Sequence, residues 1–138
     1  MKQSKRLETN RNHRLHYHPK YMPTKDVVVP VMTDKGPLVQ NYLERAYQVF
    51  DNAMNAHSKV LAVRFDLKLP RDIALPEDAE TNRVVRRFLS SLQSKINANL
   101  KRKGSPHKCP VRYIVAREIG KKNQNLHFHV MLLLNGHA

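Results

Sequence analysis

The chain predicts an α+β domain with an antiparallel sheet, and three patterns predict it. Two stretches, 37–57 and 81–103, carry apolar residues at helical spacing. Three stretches, 59–69, 111–119 and 125–135, are strand-like, the first two alternating with period two and the third a nearly continuous apolar run. The last two of these are separated by only a short polar loop, which joins antiparallel neighbours and is too short for a parallel crossover. At 138 residues the chain is long enough for one domain with a buried core.

Taken in order, residues 1–22 show no sustained period and carry Lys2, Lys5, Arg6, Arg11, Arg14 and Lys20 against Glu8 alone. They read as a basic arm suited to lying along phosphates. Val27, Val28 and Val29 form a short extended connector between Pro23 and Pro30, and Asp34-Lys-Gly-Pro37 is a turn signal. We therefore divide the chain into an arm and connector, 1–35, and a folded domain, 36–138. The first helix follows, with Pro37 in its first turn and Val39, Leu43, Ala46, Phe50 and Ala53 on its apolar stripe. In the strand over 59–69, Leu61, Val63, Phe65 and Leu67 face a core, and Arg64, Asp66 and Lys68 form a solvated face of mixed charge. The second helix starts after Thr81 or Asn82 and presents Val85, Phe88, Leu89, Leu92 and Ile96. Gly104 and Pro106 end it.

Charge narrows the partners. Lys and Arg total 25 against 11 Asp and Glu, a net charge of +14. An excess of that size points to a polyanion, with nucleic acid ahead of an anionic membrane. No apolar run reaches spanning length and the N-terminus lacks a signal-peptide core, so no membrane partner and a cytoplasmic location are expected. The single cysteine, Cys109, excludes an internal disulfide and suits that location. Trp is absent and aromatics make up 7%, which favours binding by charge and pockets over a stacking platform.

The chemistry lies in the final strand. His127 and His129 are two apart and so share one face, while Phe128, Val130, Leu132 and Leu134 take the other. A paired set of imidazoles suits a divalent metal, although two strand histidines serve equally as hydrogen-bonded surface residues. The hairpin separates these readings. If it is symmetric about loop 120–125, Ile119 faces Leu126, Glu118 faces His127 and Ala116 faces His129. Glu118 then joins both histidines on one face, and a slip of one residue would turn it away. Two imidazoles and a carboxylate leave positions open for water and substrate. Arg11, Arg14, Lys20, Arg64, Lys68, Lys121 and Lys122 are the candidates for phosphate contact. For Glu118 the plainer role is an ion pair with Lys121 or Lys122. A second cluster, His13, His16 and His18, has no apolar strand to carry it, and His107 with Cys109 is too small a set for zinc.

The strand over 59–70, Glu118, and the run Leu126-His-Phe-His-Val-Met-Leu-Leu-Leu-Asn135 together resemble the HUH endonucleases. More narrowly, they look like those of the rolling-circle replication initiators of the filamentous-phage and enterobacterial-prophage type. The resemblance implies a central antiparallel sheet with helices packed on one face. It implies Mg²⁺ or Mn²⁺ held by His127, His129 and Glu118. It also implies cleavage of single-stranded origin DNA by a tyrosine on a helix after the metal strand. No tyrosine follows that strand here; Tyr17 and Tyr21 precede it, and Tyr113 alternates onto the opposite face. A fold of this kind incomplete at its C-terminus is expected to bind DNA and metal without cleaving alone. The alternatives are a non-enzymatic regulator or decoy that binds nucleic acid on the same fold, and an interaction module for an acidic protein partner.

Overall fold

The final strand is the centre of the sheet because it alone has a neighbour on each side. A computed structural model describes residues 5–70, 72–75, 77, 79, 81–120 and 125–138. These fall into two units, Met1–Asp51 and Asn52–Ala138.

In the first unit, β1 (Leu15–His16) pairs antiparallel with β4 (Leu38–Val39), and β2 (Lys20–Thr24) pairs antiparallel with β3 (Val27–Pro30). The basic stretch expected to be without elements therefore contributes strands. They are two to five residues long, too short for a period to show in the sequence. Pro23 and Pro30 are tolerated because a two-stranded ribbon consists only of edges. The helix α1 (Gln40–Ala56) begins three residues later than Pro37, since Leu38 and Val39 pair with His16 and Leu15. The Gln40 N–H donates to the Arg14 carbonyl at 2.9 Å, and the Arg14 N–H donates to Asn41 Oδ1 at 3.2 Å. Tyr21 is buried, with its ring edge-to-face on His16.

In the second unit, β5 (Val60–Lys68), α2 (Arg83–Arg102), β6 (Arg112–Ile119) and β7 (Leu126–Asn135) follow one another. The sheet order is β5-β7-β6, antiparallel throughout. The α+β class is thus as predicted. Phe128 and Val130 of β7 are fully buried and form a core with Leu132, Val85 and Leu89. Each such side chain contributes roughly 1.5–3 kcal/mol by leaving water. Phe88 of α2 meets Phe65 of β5 edge-to-face, with centroids 5.8 Å apart. Leu61 and Val63 were expected in the core but are exposed. Of β5, Phe65 and Leu67 pack against the core cluster.

Gly104 ends α2 as the sequence predicts. Its φ of 63° is left-handed, its N–H donates to Lys101 O, and the Ser105 N–H donates to Leu100 O. This double bond closes the last turn in the Schellman manner. Gln93 then ties α2 to the next strand: its Nε2 donates to Cys109 O and its Oε1 accepts from the Val111 N–H. Among the described residues, no helix is long and apolar enough to cross a membrane.

Candidate metal centre

The β6–β7 ladder has the register that symmetry about the loop predicts. Ile119 pairs with Leu126, Glu118 with His127 and Ala116 with His129. On the other side of β7, Lys68 pairs with His127, Asp66 with His129 and Arg64 with Met131. Directly opposed residues share a face. One face of the sheet therefore carries His127, His129, Glu118, Asp66, Arg64 and Lys68, with Met131 and the buried Leu133 toward its far end, and the other carries the core around Phe128 and Val130. Ala116 is small, so Glu118 can reach diagonally past it toward His129.

Glu118 Oε2 lies 3.3 Å from His127 Nε2 and 2.7 Å from His129 Nε2. The two imidazoles stand edge-to-face with centroids 4.9 Å apart. One ligand atom from each of Glu118, His127 and His129 lies within 4.8 Å of the others. Among the described residues no other group of three or more His, Cys, Asp or Glu gathers its ligand atoms in this way. Bonds of about 2.1 Å to an octahedral ion place neighbouring ligand atoms about 3 Å apart. Glu118 Oε2 stands near that spacing from each imidazole nitrogen, and the donor set of two imidazoles and a carboxylate is one a first-row divalent ion accepts.

Asp66 belongs to this face as well. Its Oδ1 is 2.7 Å from His129 Nδ1, so each ring nitrogen of His129 donates to a carboxylate. These bonds, that to Glu118 first and that to Asp66 second, raise the His129 pKa above its ordinary value. The hydrogen bond from His129 holds both Glu118 and Asp66 below the usual carboxylate range. The sequence places Asp66 on the polar face but reads that face as merely solvated. Its place beside His129 depends on β5 lying against β7, which the alternation of β5 does not reveal.

The remaining candidates divide. Arg64 and Lys68 are exposed on the histidine face of β5. Arg11, Arg14 and Lys20 are exposed residues of the first unit. Lys121 and Lys122 lie outside the described residues. Of the second histidine cluster, His16 and His18 are engaged with the Lys20 carbonyl at 3.0 and 3.2 Å. His107 stacks on His137, and Cys109 is buried.

Fold and site together define an α+β protein whose antiparallel sheet bears a two-histidine, one-carboxylate cluster on the face opposite the Phe128–Val130 core. The chain belongs to the YagK/YfjJ C-terminal domain family, a prophage-like family whose model matches residues 23–138. No curated protein and no solved structure matches it.

Proposed function

We propose that this protein is the DNA-binding, divalent-metal-binding part of a Rep-type single-strand DNA nickase. The observation that carries the reading is the convergence of His127, His129 and the exposed Glu118 carboxylate on one sheet face. Mg²⁺ or Mn²⁺ held there would supply Lewis-acid polarisation of a phosphate oxygen. Imidazole and carboxylate together suit Mn²⁺ better than Mg²⁺, which favours oxygen donors. Arg64 and Lys68 stand on the same face, where they contribute charge-assisted bonds to neighbouring phosphates. The net charge of +14 draws the polyanion in.

Strand cleavage by this chain alone is not expected. Tyr113 lies in β6 on the face opposite the histidines. Tyr21 is buried, and burial followed by the nearby Glu44 charge raises its phenol pKa. Both properties oppose activation as a nucleophile. The same observations favour, as the second reading, a non-cleaving regulator or decoy that binds nucleic acid through this face.

Calorimetry with Mn²⁺ and fluorescence anisotropy with a single-stranded oligonucleotide test the proposal. Mn²⁺ should bind the wild-type chain and tighten its hold on the oligonucleotide. His127→Ala combined with His129→Ala should abolish both effects. Equal Mn²⁺ affinity in wild type and double variant would remove the site. DNA binding indifferent to metal would leave the regulator reading, and no binding at low salt would point to an acidic protein partner.

A further inference from the structure

We infer that Asp66 is the positioning residue of this centre, holding the His129 ring so that Nε2 is the nitrogen turned to the cation. The inference rests on the metal reading above and adds a residue to it. An imidazole has two nitrogens on different edges, and the partner of one decides which is left to bind a metal. His129 Nδ1 is 2.7 Å from Asp66 Oδ1. Its Nε2 is the nitrogen beside Glu118 Oε2, the same oxygen that His127 Nε2 approaches. Both imidazoles thus offer Nε2 to one point, and Asp66 stands behind the His129 ring.

Asp66 is not itself among the converging ligand atoms, which come from Glu118, His127 and His129. The ring lies between its carboxylate and that point. Its place is set by the backbone, because Asp66 and His129 are directly opposed partners in the β5–β7 ladder. A short side chain from that position reaches the near edge of the ring. A carboxylate accepting from the distal N–H fixes the tautomer of a metal-bound histidine and raises its basicity as a ligand.

The test compares Asp66→Ala, Asp66→Asn and Glu118→Gln with the wild-type chain. Asn keeps an acceptor oxygen and loses the charge, whereas Ala loses both. Mn²⁺ affinity should fall about ten- to a hundredfold in Asp66→Ala and less in Asp66→Asn. In the Mg²⁺-loaded protein, the His129 Nδ1–H resonance should be present in wild type and Asp66→Asn and lost in Asp66→Ala. If the alanine variant does not fold, Asp66→Asn alone should show weakened Mn²⁺ binding with that resonance retained. A lowered melting temperature with affinity and resonance intact would overturn the assignment and leave the metal reading standing. A wild-type chain that takes up no Mn²⁺ would overturn both.

Discussion

His129 is held between two carboxylates, and this makes the cluster sensitive to pH from both sides. The raised His129 pKa means that its bonds add stability fully below the unfolded value near 6.5, and lose it as pH rises through the folded value. The lowered Asp66 and Glu118 values act oppositely. Their contribution is present above the unfolded values of 3.8 and 4.5 and is lost as pH falls through the folded ones. In the metal-free protein the cluster is therefore most stabilising above the unfolded carboxyl values of 3.8 and 4.5 and below the unfolded imidazole value of 6.5. Metal binding has a single sign, because an ion at Nε2 must displace the proton shared with Glu118. Mn²⁺ affinity should rise by about tenfold per pH unit until His129 has titrated, then level off. Glu118→Gln should bring the His129 midpoint down in a proton NMR titration. A midpoint unmoved by that change would show that Glu118 does not govern the ring.

At the scale of elements, β7 serves two faces with alternate residues. Phe128 and Val130 anchor the core while His127 and His129 meet the polar groups. Phe128→Ala should cost roughly 3–5 kcal/mol, read as a lower urea midpoint at unchanged slope. Because it empties space behind the histidines, it should also weaken Mn²⁺ binding; an undisturbed affinity would show the cluster to be set by the ladder alone. This strand was legible in the sequence as an apolar run, and a hairpin symmetric about its short loop has the observed register. The α2 terminus was legible too, since only glycine takes the φ of 63° at residue 104 without strain. The start of α1 was not, because Leu38 and Val39 suit a helical stripe as well as a strand. Their pairing with His16 and Leu15 decided the matter. The exposure of Leu61 and Val63 was hidden as well, for alternation reports a face and not what covers it.

For the molecule as a whole, positive charge is spread over both units, while the metal candidates belong to the second alone. Arg64 and Lys68 share a face with the cluster. Replacing both with alanine should flatten the slope of log affinity against log salt for single-stranded DNA by about 0.7 for each contact removed. A slope identical to wild type would show that the strand does not run along β5.

The sequence by itself determined the two helices apart from the start of α1, the three long strands, and, once the loop is taken as symmetric, the hairpin register that sets Glu118 against His127. All of these depend on local period and on a short loop. Only the tertiary structure decided that β5 lies along the far side of β7, bringing Asp66 to His129 from 63 residues away. Pairing at such separation is settled by which faces bury together and not by any turn, so one strand's alternation cannot name its partner.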